Sequence, residues 1–104
     1  MSELILFTPS RQTIKPLVET AIQNEIRILE EGLKHTESRL QSFEARYGMD
    51  TETFLHRYEK GALEETLELA EWVGEYRTAQ RLRAKLQALR EIRFENRDLL
   101  SRPE

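Results

Sequence analysis

The chain has 104 residues, enough for one domain, and its 16 basic and 19 acidic residues give a formal charge of −3. This balance argues against the binding of a polyanion by net charge. The chain contains no cysteine, which excludes disulfides, thiol nucleophiles and thiolate metal sites within it. Apolar residues make up 38% and charged residues 34%, a composition that favours long solvated helices with narrow apolar stripes.

Residues 1–12 are predicted to form an amino-terminal strand or arm. Leu4, Ile5, Leu6 and Phe7 have good β propensity, and Pro9 ends the run. No second strand-like segment follows, so this segment must pair with another chain, pack against a helix or stay loose. We expect pairing or packing. The run is too short for a signal peptide or a membrane span, so we expect a cytoplasmic protein without a membrane partner.

A long helix is predicted over 13–47. It should begin between Thr13 and Pro16, because proline is tolerated in a first turn and not deeper, and end before Gly48. Apolar residues recur along it at alternating spacings of four and three, which is typical of a coiled-coil seam with a weak layer at Thr36. The seam residues are Ile22, Ile26, Leu29, Leu33, Thr36, Leu40, Phe43 and Tyr47.

A short helix is predicted over 50–60, with Asp50 as its N-cap. Met49 and Phe54 have the spacing of a hydrophobic staple at its start. Phe54, Leu55 and Tyr58 are spaced to point one way, which predicts a clip between two long helices.

A second long helix is predicted over 62–93, with an apolar stripe whose phase breaks near Ala79. The stripe consists of Leu69, Trp72, Tyr76, Ala79, Leu82, Leu86 and Leu89. Trp72 and Tyr76 are expected to form an aromatic pair in the core, where Gly74 would leave space for the clip helix to cross.

Charge divides this second long helix into an acidic first half and a basic second half. Two such helices packed antiparallel would pair opposite charges, and Glu71, Glu75, Arg83 and Arg90 flank the stripe where such ion pairs form. The alternative is that the basic half is a surface for nucleic acid or an acidic partner. Ion pairing is the favoured interpretation.

The predicted fold is all-α, with two long antiparallel helices joined by a short helix, an amino-terminal strand or arm, and a tail over 94–104. Two helical stripes and a clip bury little apolar surface for a chain of this size. We therefore expect a homodimeric helical bundle or a complex with a different protein.

No catalytic or metal-binding pattern occurs. His35 and His56 are the only histidines, and no Glu-x-x-His, phosphate-binding loop or nucleophile elbow is present. We expect a protein that is not an enzyme and that holds no cofactor and no metal.

Five segments support a family resemblance: Arg-Tyr-Gly-Met-Asp (46–50), Phe-Leu-x-Arg-Tyr-Glu (54–59), Leu-Glu-Glu-Thr-Leu (63–67), Glu-Trp-x-Gly-Glu-Tyr (71–76) and Leu-x-x-Ile-x-Phe-Glu (89–95). In these segments the chain resembles small helical proteins of bacteria and archaea that look like the antitoxin encoded beside a small toxin. No catalytic or DNA-reading residue carries over from that group.

The resemblance implies a protein that neutralises a small toxin by covering it, through long helices, an added strand or a terminal tail. The free elements here are Leu4, Ile5, Leu6 and Phe7 in the arm, and Phe94, Leu99 and Leu100 in the tail. Two alternatives stay open: a homodimeric coiled-coil structural or adaptor protein, and a DNA-binding regulator.

Overall fold

The computed structural model describes residues 3–9 and 11–93, without the side chains of residues 11 and 12. Three helices form the described fold: α1 (Arg11–Tyr47), α2 (Thr51–Glu59) and α3 (Leu67–Arg90). The predicted all-α class with two long helices and a short one is confirmed. The described residues contain no strand, and residues 3–8 form an amino-terminal arm without regular secondary structure. The predicted tail residues Phe94, Leu99 and Leu100 lie outside the described residues.

α1 begins at Arg11, earlier than the start predicted between Thr13 and Pro16. Pro16 therefore lies in the second turn, where its missing N–H removes one bond of the helical ladder close to the amino-terminal end of α1. The other end is where the glycine pattern placed it. Gly48 follows Tyr47 with φ of 67°, and its N–H donates to the carbonyl of Glu44 over 2.9 Å.

α3 begins at Leu67, so the prediction that this helix starts at Ala62 was wrong. Gly61 has φ of 71°, its N–H donates to the carbonyl of Tyr58, and the N–H of Ala62 donates to that of Arg57. These two bonds form a Schellman motif, which commits Ala62 to the end of α2. The chain then turns until Thr66 caps α3, its Oγ1 accepting from the N–H of Leu69 over 3.2 Å.

α1 and α3 pack against each other and run in opposite directions. Four ion pairs flank their contact. Two join a base of α1 to an acid of α3, Arg46 to Glu68 and Arg39 to Glu75; the other two join Glu37 to Arg83 and Glu30 to Arg90. Within each helix the paired residues of one sign lie seven residues apart, so both flanks of the seam are charge-matched.

The core is centred where α2 closes on the two long helices. Among the residues predicted to form the helix-packing core, Leu29, Leu40, Phe54, Leu69, Trp72 and Leu86 are buried, and Ile22, Ile26, Leu33, Phe43, Tyr58, Tyr76, Leu82 and Leu89 are half-buried. Tyr47 is the exception: it is 36% exposed, and its hydroxyl donates to Glu68 at the edge of the core. Thr36 and Ala79 are also buried.

The molecule is elongated, with extents of 68 × 24 × 18 Å and a radius of gyration of 20.7 Å. A compact domain of this length has a radius of gyration of about 13 Å. The reason is the unequal length of the long helices, 37 residues in α1 and 24 in α3. Since Arg90 at the end of α3 lies beside Glu30, residues 11–28 of α1 extend past it by roughly 27 Å. We call residues 11–28 the overhang.

Candidate partner-binding surface

The two ends of the molecule differ in how completely they are packed. At the clip end, Trp72 is fully buried and three rings contact it. Phe54 of α2 stacks on it with centroids 3.8 Å apart and planes within 2°, and Phe43 and Tyr47 of α1 lie 5.4 and 5.5 Å away. Trp72 thus joins all three helices, and this end is a rigid support.

A buried hydrogen-bond chain fixes the same junction. The Trp72 indole N–H donates to Thr51 Oγ1 over 3.1 Å. Thr51 in turn donates from both its hydroxyl and its backbone N–H to Glu44 Oε2, over 2.9 and 2.8 Å. A buried indole N–H needs an acceptor, so a buried Trp72 predicts that an acceptor is present. The sequence does not indicate which residue provides this acceptor, and Thr51 and Glu44 were not predicted.

Gly74 does not have the predicted role. It is exposed, and a Cβ at this position would meet no atom within 4 Å. The clip helix does not cross there, because Phe54 packs on the face of Trp72. The ring contacts of Trp72 are to Phe43, Tyr47 and Phe54, and Tyr76 does not take part in them; its hydroxyl accepts from Gln80 Nε2 over 2.9 Å.

Tyr47, Glu68 and Arg46 form a polar cluster at the rim of this junction. The Tyr47 hydroxyl donates to Glu68 Oε1 over 2.8 Å, and Arg46 Nε lies 3.0 Å from the same oxygen. The hydrogen bond to the carboxylate favours the neutral phenol and raises the pKa of Tyr47. Both contacts join α1 to Glu68 of α3, so they help to orient the two helices. We therefore assign this cluster a structural role in helix packing.

The basic half of α3 is partly used inside the fold. Arg83 and Arg90 hold Glu37 and Glu30 of α1, as the ion-pair interpretation predicts, whereas Glu71 has no part in the four pairs across the seam. Arg81 also donates to the hydroxyl of Thr78 over 3.2 Å. These contacts reduce the basic surface that a nucleic acid would meet, which weakens the regulator alternative.

Exposed apolar side chains gather at the opposite end of the molecule. In the arm, Leu4 is 86% exposed, Leu6 63% and Phe7 88%, and Ile5 is the least exposed of the four. A protein surface normally carries large apolar side chains singly, and a run of them marks a contact surface. The structure therefore places the predicted binding residues of the arm on the outside.

The overhang adds apolar side chains that the sequence pattern did not single out. Leu17 and Ile28 are 58% and 60% exposed. They are eleven residues apart, close to three helical turns, so they lie on one face of α1. This face is separate from the seam of Ile22 and Ile26. A single heptad pattern identifies only one face of a helix, so it did not predict the second one.

The described residues contain surface grooves and no cluster of metal-binding side chains. Within them, no group of three histidine, aspartate or glutamate side chains could hold a metal ion. Two shallow surface grooves occur among them, one of about 350 Å³ whose lining includes Leu33 and Arg90, and one of about 590 Å³ whose lining includes Phe43 and Glu71. No described helix has the length and apolar character needed to cross a membrane.

Comparison with protein-family models, with curated proteins and with solved structures returns no match for this chain. The chain's own residues define two contrasting ends: a clip end that is packed and hydrogen-bonded, and an amino-terminal end that exposes Leu4, Leu6, Phe7, Leu17 and Ile28.

Proposed function

We propose that this chain is a non-enzymatic protein-binding module, an antitoxin-like partner that binds and neutralises a small toxin protein. The observation that carries the proposal is the arm, in which Leu4, Leu6 and Phe7 are all more than half exposed. Burying one such side chain stabilises a complex by about 1.5–3 kcal/mol before the costs of association. The partner's class, a small toxin, rests on the family resemblance.

The packing of the three helices at the clip end supports the same function. The rings and hydrogen bonds around Trp72 hold the three helices together at one end, and the four ion pairs set the register of α1 on α3. The overhang continues from this frame as a single helix and carries the arm at its start. A partner bound at that end would meet apolar groups on a stiff support, which lowers the ordering cost of binding.

The test is co-expression with the product of the adjacent open reading frame. We expect that product to slow growth when expressed alone, and to co-elute with the wild-type chain in size-exclusion chromatography. Replacing Leu4 and Phe7 together by glutamate should abolish both rescue of growth and co-elution. The matched control is Leu67→Glu, since Leu67 is 78% exposed at the clip end and has no proposed role. A neighbour that neither harms cells nor co-elutes would refute the proposal.

A homodimeric structural or adaptor protein is the second candidate. The observation that favours it is the exposed face of Leu17 and Ile28 on the overhang. A dimer formed there would have no need of the neighbouring gene product. Under this candidate the chain self-associates fully on its own and the arm variant leaves every interaction unchanged.

A further inference from the structure

We propose that the arm binds its partner by strand addition: residues 4–7 align along a free edge of a β-sheet in the partner and extend that sheet by one strand. The inference rests on the proposed function and adds the kind of surface that the partner must present. That surface is an unpaired sheet edge with apolar contacts on both sides, rather than a groove that receives a helix.

The backbone of the arm is the first argument. Residues 4–7 belong to no helix or strand, and within the part of the chain that the structure describes their backbone groups form no hydrogen bond. Each residue thus has an N–H and a C=O to offer. A segment that buries apolar side chains in a complex must also satisfy its backbone groups, because an unpaired buried one costs free energy. A sheet edge presents the complementary row of donors and acceptors.

The side chains are the second argument. In an extended segment Leu4 and Leu6 point to one face, and Ile5 and Phe7 point to the other. Both faces are apolar, which is the pattern of a strand covered on both sides and not of a solvated edge. Leucine, isoleucine and phenylalanine suit a pleated, buried surface. The helical α1 begins shortly afterwards, at Arg11, so the strand is four to five residues long.

The experiment measures the affinity of four single variants for the product of the adjacent open reading frame by isothermal titration calorimetry. Ile5→Pro and Leu6→Pro each remove one backbone donor, and Ile5→Ala and Leu6→Ala are matched controls for the lost side chain. In an added strand only alternate residues bond to the partner edge, since successive N–H groups point in opposite directions. One proline variant should therefore bind at least about tenfold more weakly than its alanine control, and the other should bind like its control.

Amide hydrogen exchange of the wild-type complex gives a second readout. We expect protection to alternate along residues 4–7, strong at one pair of alternate amides and weak at the other. The same measurement on the free protein at two concentrations tests for self-pairing. Protection that appears in the free protein as its concentration rises would assign the arm to a second copy of this chain and overturn the inference.

The remaining outcomes separate the two proposals. If the wild-type chain binds and both proline variants match their alanine controls, the arm docks through side chains alone; strand addition is then refuted and the proposed function stands. If no variant at either position changes the affinity, the contact lies elsewhere and the inference fails in the same way. If the wild-type chain does not bind the neighbouring product, the proposed function falls and the inference falls with it.

Discussion

Trp72 joins the three helices because its side chain offers two flat faces and one polar edge. Phe54 covers one face at stacking distance, Phe43 and Tyr47 lie on the remaining sides, and the indole N–H reaches Thr51. A smaller side chain in α3 would leave a cavity lined by rings of α1 and α2. These helices are also restrained by ion pairs and caps, so they cannot collapse freely into it.

Replacing Trp72 by alanine should lower the free energy of unfolding by about 3–5 kcal/mol, the usual cost of emptying a buried aromatic site. Urea unfolding followed by the helical circular-dichroism signal measures it. The matched control is Leu67→Ala, where a side chain 78% exposed should contribute little. An unchanged melting temperature in the Trp72 variant would contradict the burial of this residue.

Two helical glycines are unused by the packing. A Cβ on Gly32 would contact Leu82 Cδ1 at 3.7 Å, an ordinary van der Waals distance, and one on Gly74 would meet nothing. Gly32→Ala and Gly74→Ala should therefore each raise the free energy of unfolding by about 0.5–1 kcal/mol, since alanine is the better helix former.

Gly48→Ala should have the opposite effect on the free energy of unfolding. Its φ of 67° is left-handed, so a side chain there should lower stability by about 1–2 kcal/mol. A loss of stability in Gly32→Ala as large as that in Gly48→Ala would contradict the ordinary contact distance to Leu82.

At the scale of elements, α2 depends on carboxylates at its start. Asp50 accepts from the N–H of Thr53 over 2.7 Å, and Glu44 accepts from the N–H of Thr51 over 2.8 Å. Together they satisfy two of the donors that every helix leaves free at its first turn. The bond from Thr53 favours the ionised form of Asp50 and lowers its pKa below the ordinary 3.8.

This shift predicts a pH dependence. Because the folded pKa of Asp50 is below the unfolded one, its contribution to stability is complete above 3.8 and is lost as the pH falls through the lower, folded value. The variant Asp50→Asn keeps an N-cap without a titrating group. The free energy of unfolding of both proteins is measured with urea at neutral pH and at about pH 2.5. On acidification, the wild type should lose more stability than Asp50→Asn does. A constant difference between the two proteins would show that folding does not lower the pKa of Asp50.

At the scale of the whole molecule, the overhang decides how the chain meets others. It carries Leu17 and Ile28 on one exposed face while the seam of Ile22 and Ile26 continues along another. A helix with apolar groups on two faces is typical of one buried in a larger bundle. This is the physical basis for expecting a homodimer.

Sedimentation equilibrium should give a mass twice that of the single chain, and the double variant Leu17→Glu and Ile28→Glu should shift the mass towards the monomer. Its exposed control is Leu67→Glu, which should leave the mass unchanged. A wild-type chain that stays monomeric at high micromolar concentration would contradict the expected dimer.

Local patterns predicted much of the fold because each depends on neighbours in sequence. The heptad ladder, Gly48 and the Asp50 cap placed α1 and α2 correctly, except that α1 begins at Arg11, earlier than predicted. The start of α3 failed, since acidic residues and Ala62 suit a helix, whereas the Schellman motif at Gly61 had already engaged the N–H of Ala62. Helix propensity alone does not predict whether a residue between two helices belongs to the end of the first or to the start of the second.

The sequence by itself determined the class of the protein: all-helical, without cysteine, with two apolar stripes and an apolar arm. These follow from periodicity and composition, which act over a few residues. Only the tertiary structure decided that Thr51 and Glu44 complete the site of Trp72, that Arg83 and Arg90 are held by α1, and that α1 outruns α3. These contacts depend on which residues far apart in sequence come together in the fold. The relative lengths and register of α1 and α3 then leave the overhang and its arm exposed at one end.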